Sequence, residues 1–226
     1  MLDILFIHPN ASKKIYQDLS NDHAAIEPPI WAGMLANHCR KKGFNVEILD
    51  CEVERLNYVS SSKRINETNP KIACFVVYGQ QPSASSQNMV GAVATAEELK
   101  KIQPDIKTLF VGGHISALPR ETLLNEKAID FIALNEGVYA ISNLLNVKDL
   151  NDSSLLKKVK GIGFKNEENI VILNEPEIIV PVNDLINVAL VPNEPLISSF
   201  IWADPDNTPS LSNAAEDKAL LSTSVP

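Results

Sequence analysis

Five apolar segments alternate with helix-like segments over the first 145 residues, and this alternation limits the fold more than any other feature. The segments comprise residues 2–7, 44–49, 72–78, 106–111 and 130–134. Residues 2–7 are nearly continuously apolar, as a strand covered on both faces is, and residues 72–78 are the most apolar and predict a central strand. Strands that alternate with helices form a parallel sheet joined by right-handed crossovers. The sequence therefore predicts an α/β fold with a Rossmann-like (flavodoxin-like), doubly wound, five-stranded parallel sheet.

The chain changes character after the fifth strand–helix unit. Residues 161–173 contain Gly-Ile-Gly-Phe, a polar turn and Ile-Val-Ile-Leu, which predict a β-hairpin. The last forty residues hold five of the fourteen prolines, no glycine and one basic residue, Lys218, which indicates an irregular tail with at most a helical turn at 214–221. We therefore expect a Rossmann-like domain at 1–150, a hairpin extension at 151–183 and a low-structure tail at 184–226.

Charge and apolar-run length argue against several classes of partner. Twenty Lys and Arg against twenty-eight Asp and Glu give a net charge of −8, so a generic basic surface for nucleic acid or anionic membrane is not expected. No apolar run approaches the ~20 residues of a membrane span. The N-terminus begins as a strand without a basic leader segment, which predicts a cytoplasmic protein.

The loops after strands one, three, four and five contain the candidate site. In an open parallel sheet, ligands bind outside the carboxyl ends of the strands. Small residues there let a ligand approach the backbone. The candidate binding residues are His8, Pro9, Asn10, Gly79, Gln80, Ser83, Ser86, Gly112, Gly113, His114, Ser116, Glu136 and Gly137. Four such loops on one edge predict a sizeable, flat or elongated polar ligand, although helix caps, a tight turn and a plain helix start also explain them singly.

Familiar catalytic and metal motifs are missing from the sequence. It contains no dinucleotide fingerprint after the first strand, no P-loop and no nucleophile elbow, so no catalytic residue is assigned. Cys39, Cys51 and Cys74 have a spacing that fits neither a zinc site nor an iron–sulfur cluster. We expect reduced structural thiols and no metal ligands from the protein.

Several stretches, taken in order, resemble the N-terminal cobalamin-binding domain of cobalamin-dependent radical SAM proteins, which include methyltransferases and the anaerobic oxidative cyclase of chlorophyll synthesis. They are ILFIHPN, PPIWAGMLANHCRKKGFNVEILDCE, NPKIACFVVYGQQPSASSQ, IKTLFVGGHISALPRETL, IDFIALNEGVYAISNLL, VKGIGF and ILNEP. The resemblance covers about residues 1–180. It implies that cobalamin lies across the strand carboxyl ends, with its dimethylbenzimidazole tail near the third- and fourth-strand loops and residues 8–10 near the corrin face.

The sequence departs from this family in three places. The Asp-x-His-x-x-Gly motif is missing, so no histidine lower ligand to cobalt is expected. The Cys-x-x-x-Cys-x-x-Cys motif is missing as well, so neither a [4Fe–4S] cluster nor SAM is expected in this chain. Asn135 replaces the first glycine of the usual Gly-Glu-Gly turn.

The missing core and the shift in tail composition lead us to expect a truncated, frame-shifted or split relative of this family, inactive alone, whose corrin serves as methyl carrier or cofactor when a radical SAM partner is supplied in trans. A stand-alone sensor or interaction domain that binds no cobalamin is the alternative. A half-domain of a nucleotide-sugar transferase is less favoured, because the four loop cores contain no basic residue for phosphate.

Overall fold

Seven strands and seven helices make up the part of the chain that the computed structural model describes, which is residues 2–11, 26, 28–79, 82–181 and 184, with backbone alone at 82 and 83. The strands are β1 (Ile4–His8), β2 (Val46–Asp50), β3 (Ile72–Val76), β4 (Lys107–Val111), β5 (Phe131–Ala133), β6 (Ile162–Lys165) and β7 (Val171–Leu173). The helices are α1 (Ile30–Lys41), α2 (Tyr58–Thr68), α3 (Pro82–Ile102), α4 (Gly113–Ala117), α5 (Pro119–Asn125), α6 (Val138–Leu145) and α7 (Ser153–Leu156).

The strands pair in the order β2-β1-β3-β4-β5-β6-β7. Strands β1 to β5 are parallel, which confirms the predicted doubly wound sheet. The predicted hairpin is also present, and it continues the sheet: β6 pairs antiparallel with β5, and β7 with β6. This pairing covers the backbone edge that β5 would otherwise expose. The domain boundaries near 150 and 183 stay a prediction.

Apolar side chains cover both faces of the sheet. In β1, Ile4 and Phe6 belong to one core cluster, while Leu5 and Ile7 belong to the other. Side chains alternate between faces along a strand, so a strand with a core on each side needs apolar residues at every position. This explains the continuous apolar runs of the sequence.

Local signals position most helix ends. The pair Pro28–Pro29 precedes α1, and Gly43, with a φ of 91°, follows it in the left-handed region. Asn57 and Ser60 form a capping box at the start of α2. Two helices were not predicted: α4, which lies in the expected Gly-Gly-His loop, and α7. Both are too short, at five and four residues, to show a helical period.

None of the described helices combines the length and apolar character that crossing a bilayer requires. The site residue Gln80 and the tail predicted beyond Asp184, including the helical turn at 214–221, lie outside the described residues.

Candidate functional site

The switch point of the sheet lies between β1 and β3, because β1 pairs with β2 on one side and with β3 on the other. A cavity of about 360 Å³ opens there, at the carboxyl edge. Its lining is mostly apolar and consists of His8, Pro28, Pro29, Ile30, Trp31, Ala32, Met34, Val76, Tyr78 and Gly79. Of these, only His8 and Gly79 were predicted as site residues.

His8 ends β1 and is held by the end of β2. Its Nδ1 lies 3.1 Å from the Asp50 Oδ1, and the two side chains are only 12% and 16% exposed. The same carboxylate oxygen accepts hydrogen bonds from the N–H groups of Glu52 and Val53. Because the turn fixes the carboxylate, the carboxylate in turn fixes the imidazole at the cavity wall. Asn10 reaches the same turn, donating from Nδ2 to the Cys51 carbonyl at 3.4 Å.

A serine bridges the loops after β3 and β4. The buried Ser85 donates from Oγ to the Val77 carbonyl and accepts from the His114 N–H at 2.9 Å. The next residue, Ser86, is exposed, and its Oγ lies 2.9 Å from the His114 Nδ1. The structure thus brings together the predicted residues Ser86 and His114. Ser85 was not among the predicted site residues, although it lies in the same loop as Ser83 and Ser86; the side chain of Ser83 is not described.

Glycines in this region lie where neighbouring segments of the chain pack closely against one another. A Cβ on Gly112 would collide with the Val77 carbonyl, and one on Gly79 would collide with the side chain of Ala84. A Cβ on Gly113 would meet Ser85 at 3.6 Å, an ordinary contact. Close protein packing therefore accounts for Gly79 and Gly112, whereas Gly113 has room beside it.

The turn after β5 joins the edge to the segment beyond the hairpin. The Asn135 N–H donates to the Ser116 Oγ at 2.9 Å. Glu136 Oε2 accepts from the Val180 N–H at 2.8 Å. This side chain, which was predicted to contact the ligand, thus hydrogen-bonds to the backbone beyond the hairpin. Gly137 has a φ of 72° and begins α6. A contact of these residues with a ligand stays a prediction.

Tyr78 lies between the apolar cavity and the polar residues of the neighbouring loops. Its hydroxyl donates to the Asn135 carbonyl, and its own carbonyl accepts from the Asn88 Nδ2 at 3.0 Å. Burial, reinforced by the charge of Glu136, raises the Tyr78 pKa well above its usual value, so the phenol stays a donor. The Trp31 ring stacks on the Tyr78 ring, with centroids 4.4 Å apart and an interplanar angle of 22°.

A larger cavity, of about 820 Å³, lies at the amino edge of the parallel strands. Lys107, Lys127 and Lys165 line it, together with Asp130. None of the predicted site residues is there. The Asp130 carboxylate is engaged by the chain itself, since its Oδ2 accepts from the Lys100 Nζ at 2.6 Å. The larger cavity is thus remote from the carboxyl-edge site.

All three cysteines are buried free thiols. Burial raises the pKa of Cys39 and of Cys51 to about 12 and that of Cys74 well above its usual value. Such thiols are neutral at physiological pH and poor metal ligands. Among the described residues, no group of three or more His, Cys, Asp or Glu side chains is placed to hold a metal ion.

Comparison with known proteins relates this chain to a ligand-binding family. A family described as the B12 binding domain matches residues 19–145. The anaerobic magnesium-protoporphyrin IX monomethyl ester cyclase of Rubrivivax gelatinosus is 26% identical over 185 residues, covering 80% of this chain and 31% of the cyclase. An uncharacterized methyltransferase of Pyrococcus horikoshii is 26% identical over 149 residues, covering 66% of this chain and 30% of that protein.

Solved structures show the same fold. The radical S-adenosylmethionine methyltransferase TsrM from Kitasatospora setae superposes with a TM-score of 0.59 at 16% identity, covering 79% of this chain and 31% of TsrM. The cobalamin-dependent S-adenosylmethionine radical enzyme OxsB, with aqua-cobalamin bound, gives a TM-score of 0.53 at 16% identity, covering 83% and 25%. The chain thus spans about a third or less of the length of these relatives. Because the B12 family match covers more than half of its residues, the chain belongs to the B12-binding domain family.

Proposed function

We propose that this chain binds cobalamin along the carboxyl edge of β1, β3, β4 and β5, as the cobalamin module of a radical SAM system. One observation carries the proposal: loops from four strands meet at one edge, with an apolar cavity at the switch point and a polar cluster beside it. This edge is where an open α/β sheet binds ligands. The family match supplies the ligand class.

The residues at the edge fit the two chemical parts of cobalamin. The macrocycle is a broad plate with apolar ring faces and amide side chains on its rim, and an apolar ring face suits the cavity next to Trp31 and Met34. The tail carries a ribose, a phosphate and a base. Ser86 and His114 offer polar groups to it, and Gly113 leaves space at the same loop.

We propose that cobalt receives no histidine ligand from this chain. The Asp-x-His-x-x-Gly motif, which supplies such a ligand in other cobalamin-binding domains, is missing from the sequence. Electron paramagnetic resonance of the bound cob(II)alamin tests this. The spectrum is expected to be the same in wild type and in the His8→Ala and His114→Ala variants, whereas nitrogen hyperfine splitting that disappears in either variant would contradict the proposal.

We further propose that this chain does not catalyse a reaction alone and that a radical SAM catalytic part acts on the cofactor it holds. Bound cobalamin supplies a cobalt centre able to carry a methyl group. Residues 1–226 contain no Cys-x-x-x-Cys-x-x-Cys motif, and the three thiols present are buried and neutral. The role of this chain is then to bind and orient the cofactor.

Retention of cobalamin tests the proposed function. The full chain is mixed with hydroxocobalamin or methylcobalamin, desalted and scanned for the visible corrin bands. We expect retention by the wild type and by Ser154→Phe, an exposed control position on α7. A Ser83→Phe/Gly113→Phe double variant should lose the colour while keeping its circular dichroism spectrum. No retained colour in the wild type with either form would refute the proposal.

A further inference from the structure

We propose that the stacked pair of Trp31 and Tyr78 is the surface on which the corrin macrocycle packs, and that it sets corrin affinity separately from the tail. The inference rests on the proposed cobalamin function and adds two residues that the loop pattern did not identify. Trp31 comes from the first turn of α1 and Tyr78 from the chain just after β3. They therefore meet over the switch point from two different elements.

The stacked Trp31 and Tyr78 rings form part of the cavity wall. The rings are nearly parallel, at 4.4 Å and 22°, and both side chains line the 360 Å³ cavity. Trp31 is 39% exposed although its neighbours Ala32 and Leu35 are buried. An exposed indole stacked on a mostly buried phenol presents a flat apolar area to the cavity. Aromatic surfaces of this kind contribute strongly to binding of planar ligands, because they bury a large area with few rotatable bonds.

Tyr78 is fixed firmly enough to serve as a platform. Its hydroxyl donates to the Asn135 carbonyl and its carbonyl accepts from Asn88, so it is anchored to the β5 turn and to α3. These bonds use its polar atoms and leave the ring for stacking. Rigid placement limits the entropy lost when a ligand is bound.

Tyr78 also divides the edge into two chemically different halves. On the β1 side lie Pro29, Trp31 and Met34, which are apolar. On the β4 side lie Ser86 and His114, which are polar and hydrogen-bonded to each other. Cobalamin is divided in a similar way, between the apolar faces of its corrin ring and the charged, hydroxylated nucleotide tail. The apolar half therefore suits the macrocycle and the polar half the tail.

Cobinamide, the same corrin without the nucleotide tail, separates the two halves experimentally. Dissociation constants for cobalamin and cobinamide are measured by visible-absorption titration of the full chain. Trp31→Ala should weaken both ligands by about tenfold and by the same factor. Trp31→Phe, which keeps an aromatic ring, should recover most of the affinity. The control Ile102→Ala, at a position 44% exposed at the end of α3, should change neither constant.

A substitution in the polar half should affect only the ligand that carries the nucleotide tail. Gly113→Phe should weaken cobalamin and leave cobinamide unchanged. The inference is overturned if wild type binds cobalamin but not cobinamide, if Trp31→Ala leaves cobinamide affinity within about twofold of wild type, or if Trp31→Ala affects cobalamin alone. If wild type binds neither ligand, the proposed function itself fails, and the inference fails with it.

Discussion

Replacing Gly137 by alanine tests the left-handed and closely packed geometry of the turn after β5. Gly137 has a φ of 72°, a conformation that costs an L-residue about 1–2 kcal/mol. A Cβ there would also lie 2.7 Å from the Val111 Cγ2 and 3.3 Å from the Ile141 Cδ1. Valine is stiff about χ1 and Val111 is buried in β4, so the contact cannot be relieved by a simple rotation.

The two effects can be separated with Gly43→Ala. Gly43 has a φ of 91°, but a Cβ there meets nothing within 4 Å. In this control the free energy of unfolding should therefore fall only by the cost of the left-handed conformation, about 1–2 kcal/mol. Overpacking of a buried site costs about 1–3 kcal/mol, so the free energy of unfolding of Gly137→Ala should fall by that amount beyond the fall in Gly43→Ala.

Thermal unfolding followed by circular dichroism measures the difference. For a domain of this size, 1 kcal/mol corresponds to about 2–4 °C in Tm. The Tm of Gly137→Ala should therefore lie about 2–12 °C below that of Gly43→Ala. Equal Tm values for the two variants, or a higher Tm for Gly137→Ala, would refute the steric part of the reasoning.

Three further predictions concern charge and protonation. Burial, with Lys42 nearby, lowers the His38 pKa, so the imidazole stays neutral in the folded protein at a pH where it takes up a proton in the unfolded chain. The free energy of unfolding measured in urea should therefore fall as pH drops below about 6.5. The fall should be smaller in His38→Gln, which has no imidazole to protonate. A thiol reagent at pH 8 should modify no cysteine in the folded protein and all three in urea, because burial raises their pKa values; reaction in the folded state would contradict this. Asp130→Asn should cost about 1–3 kcal/mol of unfolding free energy by weakening the bond to Lys100, whereas the exposed control Asp105→Asn should cost under about 0.5 kcal/mol; equal costs would count against the role of Asp130.

Much of the sheet was predictable from the sequence because its central strands β1, β3 and β4 are buried on both faces. Continuous apolar runs, proline before α1 and glycine after it each report a local physical requirement. The hairpin was also visible, but not its pairing with β5. Pairing between distant segments depends on which edge the finished sheet leaves open, and no local pattern contains that information.

The sequence predicted at which edge of the sheet the site lies, but it identified only some of the side chains there. Topology places ligands at the strand carboxyl ends, so loops rich in small residues were a sound signal. Glycine patterns do not say what approaches the backbone: at Gly112 it is the Val77 carbonyl. Trp31 falls at helical spacing with Leu35 and His38, so its pattern indicated only a helix face. Its stacking on Tyr78 depends on two elements meeting in space.

Equilibrium dialysis of the full chain against hydroxocobalamin tests the central claim most directly, because it gives both affinity and stoichiometry, and comparison with the variants locates the site. The account predicts one cobalamin per chain, lost in the Ser83→Phe/Gly113→Phe variant and kept in the Ser154→Phe control. Absence of binding to wild type, or binding that the edge variant leaves unchanged, would contradict it.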